Sequence, residues 1–538
     1  MAKVVLLSGH IGSGKTELAR ELHRRFSFQV IKTSELVREA ARRRRLSKDR
    51  KTLQDLGTRL DNSTGGAWVL EGYRALAKKS AKNDRIVIDC VRVPEQINHF
   101  RATLGHDVLH VHLDANIATL RKRFRHRRSA HDKHISFREA ISHPTESRMH
   151  ELKKDADLVI DTVKTDGPDC SILIGSKLGL FAPPDRRCVD VIVGGQYGSE
   201  GKGHVAAYLA RSYDVLVRVG GPNAGHSVKS RSGVHVYHHL PSGCKDHVRA
   251  EVLIGPGAVI HVRKLLREIR ECRLKPGQVF IDPQAMAIAP KDIRAERELQ
   301  QEIGSTKQGV GSASSRKILH RGKRTVRLAR HCRSLRKYLG PTHERLERAY
   351  SERKSILLEG TQGSGLSLHH GSYPHVTSRD TSVAGCLAEA GISPSRVRRI
   401  LVVVRTYPIR VASPKHKGKT SGALKREISF DEVARRSGLD ATKLKRAEKT
   451  STTRRDRRVG EFDWELLRRS CELNAPTDIV LTFVDYMDRS NLEARRYEQL
   501  SVATRSFIEQ LERVAHAPVS LINTRFDERS IIDRRNWD

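Results

Sequence analysis

Eight residues near the start of the chain have the types and spacing that hold the phosphates of a nucleoside triphosphate. The run Gly9-His-Ile-Gly-Ser-Gly-Lys-Thr16 satisfies the pattern G-x-x-x-x-G-K-[ST]. In such a loop the glycines let backbone N–H groups face the phosphates, the lysine reaches the outer phosphates, and the threonine hydroxyl ligates Mg²⁺. We therefore predict a nucleotide site formed by Gly9, Gly12, Gly14, Lys15 and Thr16, with Thr16 also at the metal.

The residues around this loop predict the strand, turn and helix that the motif requires. An apolar run at 4–7 precedes the loop, and Leu18, Leu22 and Phe26 recur after it at helical spacing. A second buried-strand pattern ends at Asp89, where a carboxylate can orient Mg²⁺ through water. We predict Asp89 as a further metal-site residue.

Residues 1–165 resemble the small P-loop nucleoside monophosphate kinases and dephospho-coenzyme A kinase. The resemblance rests on the P-loop, on Asp89 with Arg92, and on the apolar run 108–114 followed by an arginine-rich helix. It leaves the phosphoryl acceptor open. By analogy alone, and without any residue that reads a base, the expected acceptor is a nucleoside monophosphate.

Two more glycine-rich turns lie in the second half of the chain, each after an apolar run. The first is Gly194-Gly-Gln-Tyr-Gly-Ser-Glu-Gly-Lys-Gly-His204, and the second is Gly220-Gly-Pro-Asn-Ala-Gly-His-Ser227. The first is not a P-loop, because no Gly-Lys-Ser/Thr closes it at the required offset. We expect the first turn to bind phosphate and the second to present a histidine.

Together these turns resemble the signature loops of adenylosuccinate synthetase, and further similar segments follow in the family's order across nearly all of 187–538. Members of that family join the amine of aspartate to the 6-position of a purine nucleotide. A nucleoside triphosphate first phosphorylates the 6-oxygen, which converts a poor leaving group into a good one. The further segments are 240–243, 304–311, 358–363, 371–378, 451–460 and 481–485.

The resemblance implies a role for each matching position. Catalysis would fall to His226, Ser199 and Lys202. The monophosphate and aspartate would be bound by Asn223, Thr306, Gln362, Thr377, Thr452, Thr453 and Arg455, with Arg321 serving across a homodimer interface. The triphosphate would be bound by Gly198, Glu200, Gly201, Gly203, Arg457 and Asp485, and its Mg²⁺ by the carbonyl of Gly225.

Position 199 departs from the family pattern. The family has an aspartate there, which takes the proton from purine N1, whereas Ser199 has no carboxylate. A shorter, neutral side chain leaves room for a purine 2-amino group and can hydrogen-bond it. The substitution is similar to that in the phage enzymes that make 2-aminoadenylosuccinate from dGMP. The sequence therefore places dGMP slightly ahead of IMP as the substrate. The alternative is a degenerate, non-catalytic copy of the enzyme.

Two other departures concern the triphosphate and the partner subunit. Phe483 stands where the family's base-reading segment has lysine, while Asp485 is kept, so GTP, ATP and dATP all stay open as co-substrates. Arg321 matches the family's intersubunit arginine only after a shift of one residue. We expect a homodimer on this basis.

Composition sets the outer limits of these predictions. The chain has 538 residues and a formal net charge of +38, which favours anionic partners, but 5% aromatic residues disfavour a platform for stacking single-stranded nucleic acid. Eight scattered cysteines suggest reduced thiols, and no apolar stretch is long enough to cross a bilayer. We expect a cytoplasmic protein without a membrane partner.

The predicted fold class is α/β, with two domains. A P-loop kinase-like parallel-sheet domain would occupy 1–176, a connector marked by Pro183-Pro184 would occupy 177–187, and a larger synthetase-like domain would occupy 188–538. The alternative to a ligase is a P-loop ATPase whose C-terminal domain senses nucleotides or binds nucleic acid without catalysis.

Overall fold

The computed structural model describes residues 3–47, 49–79, 85–126, 136–142, 144–230, 233–247, 249–297, 303–412, 421–450 and 455–537. Contacts divide the chain into two compact units, Met1–Phe181 and Ala182–Asp538, and the division falls within the predicted connector range. Each unit is built on a largely parallel β-sheet, so the predicted α/β class is confirmed. Within the described residues no helix is long and apolar enough to span a bilayer.

The first unit contains a five-stranded parallel sheet in the order β2-β3-β1-β4-β5. Its strands are β1 (Lys3–Ser8), β2 (Gln29–Ile31), β3 (Arg85–Ile88), β4 (Val108–Asp114) and β5 (Leu158–Asp161). Its helices are α1 (Lys15–Phe26), α2 (Thr33–Arg43), α3 (Arg50–Thr64), α4 (Trp68–Lys79), α5 (Pro94–Leu104), α6 (Ile117–Arg125), α7 (Phe137–Ser142), α8 (Pro144–Ser147), α9 (Met149–Lys154) and α10 (Gly167–Lys177).

Strand β1 lies at the centre of this sheet because its side chains are apolar on both faces. Residues 4–7 are completely buried, as expected for a parallel strand covered by helices on both sides. Helix α1 follows directly, and the predicted apolar positions Leu18, Leu22 and Phe26 form its buried stripe. The chain thus folds the P-loop between the central strand and the first helix.

The second unit contains a nine-stranded sheet in the order β12-β10-β7-β14-β6-β15-β19-β20-β21. All neighbouring pairs are parallel except β20 and β21. Its strands are β6 (Val189–Gly194), β7 (Val215–Arg218), β10 (Glu251–Ile254), β12 (Val279–Ile281), β14 (Ile356–Glu359), β15 (Val397–Arg405), β19 (Asp478–Thr482), β20 (Val519–Asn523) and β21 (Ile531–Asp533).

Smaller sheets and helices surround this large sheet. The small sheets comprise the hairpin β8 (His226–Ser230) and β9 (Gly233–Tyr237), the pair β11 (Val259–Ile260) and β13 (Met286–Ala287), and the trio β16 (Ile409–Val411), β17 (Glu427–Ile428) and β18 (Arg457–Gly460). The helices are α11 (Lys202–Ala210), α12 (Val262–Glu271), α13 (Pro290–Ala295), α14 (Val310–Leu319), α15 (Thr342–Ser351), α16 (Val383–Ala390), α17 (Phe430–Ser437), α18 (Ala441–Ala447), α19 (Trp464–Asn474) and α20 (Val502–Ala515).

The central strands of the large sheet place the predicted site residues at one edge. Strands β7, β14, β6, β15 and β19 are adjacent and parallel, so their carboxyl ends meet along that edge. In open α/β sheets, ligands bind outside the carboxyl ends of the strands. The turn after β6, the turn after β7 and the residues that follow β14 and β19 all lie there.

Candidate active sites

The P-loop of the first unit requires glycine for steric reasons. Gly9 has a φ of 132°, and a Cβ atom there would lie 2.3 Å from the backbone oxygen of Leu113 on β4. Gly14 caps the start of α1 with a φ of 99°. The loop therefore packs tightly against β4 and turns its backbone toward the helix N-terminus, where an anion is stabilised.

Lys15 and Asp89 lie beside this loop. The Nζ of Lys15 donates to the carbonyl oxygens of Gly9 (2.5 Å) and His10 (3.0 Å), so the amine lies over the phosphate-binding turn. Asp89 follows β3 and is buried, and burial raises its pKa although the charge of Lys15 opposes the shift. Thr16 and Asp89 line the same cavity, and their hard oxygen atoms suit Mg²⁺.

Glu146 is a P-loop contact that the sequence analysis missed. This buried carboxylate accepts from the backbone N–H of Ile11 (3.2 Å) and lies 3.3 Å from His10 Nδ1. Burial would raise its pKa, but His10 and Lys15 hold that pKa below its ordinary value. Glu146 lies 135 residues after Ile11, and no local sequence pattern predicts such a pairing.

In the second unit, Glu200 organises the turn after β6. Its Oε1 accepts from the N–H groups of Gln196 (3.1 Å) and Gly198 (2.7 Å), and its Oε2 pairs with Lys202. Glu200 and Lys202 are both buried, and a Cβ on Gly194 would lie 2.7 Å from each of the two paired atoms. Glu200 thus shapes the turn and positions Lys202 at the start of α11.

Ser199 lies on the open side of this turn. Its side chain is exposed, and its backbone has a φ of 56°, in the left-handed region. Its carbonyl oxygen accepts from the guanidinium of Arg405 (3.4 Å). Among the described residues, no hydrogen bond joins the exposed hydroxyl of Ser199 to the buried network beneath the turn.

His226 belongs to a buried charge cluster at the ends of β7 and β14. Its Nδ1 lies 2.5 Å from Glu359 Oε1 and 3.1 Å from a guanidinium nitrogen of Arg218, and Arg218 lies 3.2 Å from Glu359. Ser242 donates to both oxygens of Glu359 at 2.7 Å, through its N–H and its hydroxyl. The four side chains hold one another in place.

Protonation within this cluster follows from burial and charge. Burial, then the positive charge of Arg218, lowers the pKa of His226 to about 4. Burial would raise the pKa of Glu359, but Arg218 and His226 outweigh it and lower that pKa to about 2. At neutral pH, Glu359 is ionised and accepts the Nδ1–H of a neutral imidazole, which leaves the Nε2 lone pair of His226 available.

Three predicted substrate residues are joined through the hydroxyl of one of them, Thr377. Thr377 Oγ1 accepts from the side-chain amides of Asn223 (3.3 Å) and Gln362 (3.4 Å). The Oδ1 of Asn223 is buried and has no hydrogen-bond partner among the described residues, so it can accept from a ligand. Gln362 has a φ of 60° and is fixed by a 2.7 Å hydrogen bond from Thr361.

The other predicted substrate residues are not all joined to this group. Arg455 donates to the carbonyl oxygens of Gly304 (3.2 Å) and Ala412 (2.8 Å), which brings it to the loop that contains Thr306. Arg321 is exposed after α14, and no hydrogen bond or ion pair among the described residues joins it to the site residues above. Thr452 and Thr453 lie outside the described residues.

A third buried cluster lies next to the ends of β15 and β19. Glu448 accepts from Arg405 (2.7 Å), Arg457 (2.7 Å) and the hydroxyl of Tyr486 (2.7 Å). The guanidinium of Arg405 also lies 4.1 Å from the centre of the Phe483 ring. Glu448 therefore links Arg457 to Arg405 at the end of β15. The sequence analysis gave no role to Glu448.

Asp485 brings an unsatisfied acceptor to this region. Its side chain is buried and its Oδ1 has no hydrogen-bond partner among the described residues. Burial raises its pKa to about 7, against the opposing effect of backbone hydrogen bonds and Arg405. A buried acceptor of this kind is costly unless a ligand supplies a donor.

Comparison with known proteins decides the family. A family model described as adenylosuccinate synthetase matches residues 191–339 and 323–492, and the adenylosuccinate synthetase of Methanocaldococcus jannaschii is 34% identical over 355 residues, which is 64% of this chain and 96% of that protein. The chain belongs to the adenylosuccinate synthetase family. Its homologues are C–N ligases, so the chain is a ligase of this type with a further P-loop unit.

Solved structures also match the adenylosuccinate synthetase unit, including one from Plasmodium falciparum and one from cyanophage S-2L. The enzyme of Plasmodium falciparum aligns with a TM-score of 0.57 at 20% identity, covering 65% of this chain and all of that one, which shows the fold. The succinoaminodeoxyadenylate synthetase of cyanophage S-2L, solved with dGMP and with dATP as energy donor, aligns with a TM-score of 0.53 at 27% identity, covering 65% and 96%. A model described as an AAA domain matches residues 8–140, in the P-loop unit.

Sequence reasoning missed the charged residues that end the strands of the adenylosuccinate synthetase unit. Arg218, Glu359 and Arg405 each close an apolar strand, and each is buried. A charge at the carboxyl end of a parallel strand is the signal that would have identified them, because ligand sites lie at that edge.

The Glu448 cluster yields a stability prediction for the adenylosuccinate synthetase unit. We expect Glu448→Gln to lower the free energy of unfolding by about 3 kcal/mol, because Arg405 would stay buried without its counter-charge. Urea unfolding followed by the fluorescence of Trp464 and Trp537, in a Trp68→Phe background, measures this.

Glu432→Gln is the matched control for this measurement, since Glu432 pairs with Arg435 and Arg436 at the surface. The control variant should unfold like the parent. Equal urea midpoints for the Glu448 and Glu432 variants would contradict a structural role for Glu448.

Proposed function

We propose that the second unit joins L-aspartate to C6 of dGMP, with hydrolysis of a nucleoside triphosphate, and forms 2-aminoadenylosuccinate as its deoxynucleotide. The 6-oxygen takes the γ-phosphoryl group while N1 loses its proton. The amine of aspartate then displaces phosphate at C6. The observation that carries this proposal is the serine at 199 on the open side of the turn after β6.

Ser199 supports dGMP through its size and its lack of charge. A guanine base carries an amino group beside N1, where hypoxanthine has only a hydrogen. The exposed hydroxyl can accept a hydrogen bond from that amino group, and no carboxylate fills the space. The cyanophage relative was solved with dGMP bound, which supports dGMP as the substrate.

His226 is our proposed replacement for the missing base. The proton that leaves N1 needs a neutral acceptor, and His226 has a free Nε2 because Glu359 fixes its Nδ1–H. The resulting imidazolium, stabilised by Glu359, then donates to the transferring phosphoryl group, directly or through water. Lys202 adds a positive charge at the start of α11, where phosphate is favoured.

Aspartate and monophosphate binding are assigned to the remaining polar groups. We propose that Arg455 grips a carboxylate of aspartate, since a guanidinium can bind it with two parallel hydrogen bonds. Asn223, Gln362 and Thr377 would bind the monophosphate. The exposed Arg321 would serve a second copy of the chain in a homodimer.

Mg²⁺ on the triphosphate would neutralise charge during phosphoryl transfer. Among the described residues no group of three or more His, Cys, Asp or Glu side chains is placed to hold a metal. In this unit the carbonyl oxygen of Gly225 would contact the ion, with the triphosphate supplying the charged ligands.

Isotopic labelling tests the chemistry of this proposal. With dGMP labelled with ¹⁸O at position 6, aspartate, Mg²⁺ and GTP or ATP, we expect the label to appear in inorganic phosphate in proportion to the succinylated product. A succinylated product whose phosphate carries no label would contradict phosphorylation of the 6-oxygen.

The KM for the triphosphate should depend on pH because Asp485 titrates near neutral pH. Its pKa of about 7 means that the carboxylate forms as pH rises from 6 to 8, and only the ionised form accepts from both N1–H and the 2-amino group of guanine. Over this range we expect the KM for GTP to fall by up to about tenfold. The KM for ATP should stay level or rise.

The charged neighbours of Asp485 are Arg405 and Glu448, so their variants are unsuitable controls. Asp485→Asn is the informative variant, because its amide does not titrate in this range. If the KM for GTP changes with pH in the same way in Asp485→Asn and in the parent, Asp485 is not the group responsible.

A further inference from the structure

The P-loop cavity extends well beyond the triphosphate site. Its volume is about 980 Å³, near the upper end of the range for small-molecule pockets, which leaves room for an acceptor beside the triphosphate. The part away from the P-loop is lined by residues of α2, α3 and α4 and of the segment before α5. These include Arg38, Leu53, Asp61, Trp68 and Arg92.

Asp61 is held rigidly in this part of the cavity. Its Oδ1 accepts from Trp68 Nε1 (2.6 Å) and from Gln96 Nε2 (2.8 Å). Gln96 is itself fixed, because its Oε1 accepts from the backbone N–H of Arg92 (2.9 Å). Both hydrogen bonds fall on the same carboxylate oxygen. Among the described residues, the hydrogen bonds to this carboxylate leave Oδ2 as an acceptor for a ligand. Burial raises the pKa of Asp61, and the charge of Arg92 favours the ionised form by opposing that rise.

The walls around Asp61 suit a flat ring attached to a phosphate. Val37, Leu53 and Trp68 belong to one apolar cluster and line the cavity. Arg38 and Arg92 line it too and supply positive charge for a phosphate group. A polyol would need many hydrogen-bonding groups, whereas an aromatic base needs apolar faces and a few polar contacts at its edge.

We propose that the first unit is a kinase whose acceptor is a purine nucleoside monophosphate with an exocyclic 2-amino group, read by Asp61. A phosphate oxygen of the acceptor attacks the γ-phosphorus of the triphosphate, the bond to the bridging oxygen of the β-phosphate breaks, and two nucleoside diphosphates result. This inference concerns a separate site and does not rest on the proposed ligase function.

The 2-amino group is selected by the chemistry of a carboxylate. An ionised Asp61 only accepts hydrogen bonds, so Oδ2 needs donors from the base. Guanine offers N1–H and its 2-amino group, and 2,6-diaminopurine offers its 2-amino group. Adenine and hypoxanthine both have only a hydrogen at C2, so each loses that contact.

Comparison of acceptor substrates with the unaltered 538-residue chain is the primary test. ATP and Mg²⁺ are supplied without aspartate, and dGMP, dIMP, 2,6-diaminopurine deoxynucleoside monophosphate and dAMP are compared by separating the diphosphates. We expect each 2-amino nucleotide to exceed its counterpart without that group by about tenfold or more in kcat/KM. Loss of the product with Lys15→Ala assigns it to this P-loop.

Two results would overturn the proposal. One is equal phosphorylation of dGMP and dIMP together with equal phosphorylation of the diaminopurine and adenine nucleotides. The other is phosphorylation of a polyol such as shikimate or a sugar and of none of the nucleotides. Because aspartate is absent, failure here is distinct from failure of the ligase, which is measured as succinylated product.

Asp61→Asn gives an independent readout. We expect the preference for the 2-amino nucleotides to fall by about tenfold or more, through KM more than kcat, because an amide presents its own N–H₂ to the base edge. Asp55→Asn, on the same helix but outside the cavity, removes the same charge and should keep the preference. An unchanged preference in a folded Asp61→Asn protein would refute base reading by Asp61.

Discussion

His226→Asn should lower the kcat of aspartate-dependent product formation by about 10²- to 10⁴-fold, the usual contribution of a positioned acid–base group. Asparagine keeps a donor toward Glu359 but has no counterpart to the imidazole Nε2. The variant therefore removes the proton acceptor and phosphoryl contact while preserving the salt bridge between Arg218 and Glu359. Initial rates at saturating substrates measure the effect.

The exposed residue His343 supplies the control for this variant. His343→Asn should match the parent in kcat, and urea unfolding should show that both variants are folded. A kcat for folded His226→Asn within about threefold of the parent would remove His226 from the chemistry, since even a weak acid–base group contributes more.

Ser199→Asp should shift the substrate preference of the ligase from dGMP toward IMP. We expect kcat/KM for dGMP to fall by about 100-fold and kcat/KM for IMP to rise by about tenfold or more, an ordinary range for a pocket that gains or loses a fitting group. The carboxylate crowds the purine 2-amino group and supplies a base beside N1. The left-handed backbone at this position, with a φ of 56°, tolerates aspartate better than most residues.

Ser199→Asn separates size from charge in this experiment. Asparagine has nearly the shape of aspartate and cannot take a proton from N1, so it should lose activity with dGMP and gain none with IMP. If Ser199→Asn and Ser199→Asp gained equal activity with IMP, proton removal by a carboxylate at position 199 would not explain the gain. The size of the side chain would then be the explanation.

The sequence predicted those parts of the fold that depend on interactions within short segments of the chain. The P-loop followed from glycine, lysine and threonine spacing between an apolar strand and an amphipathic helix, and β1 and α1 are found there. The turns after β6 and β7 were located in the same way. Asn223, Gln362 and Thr377 entered through family resemblance, and the structure brings their side chains together.

The residues that sequence missed act through pairings between distant segments. Glu359 meets His226 across 133 residues, and Glu448 meets Arg405 across 43. Such pairings depend on the order of strands in the sheet. Strand β14 lies next to β7, although six other strands, β8 to β13, separate the two in sequence. Local patterns therefore located the turns but not the charges beneath them.

The most direct measurement offers the unaltered chain dGMP and IMP in parallel, with aspartate, Mg²⁺ and a mixture of GTP and ATP, and resolves the products by mass. We predict a succinylated product from dGMP that exceeds the product from IMP. Succinylation of IMP with none of dGMP would contradict the role given to Ser199, and no succinylated product from either would contradict the ligase function itself.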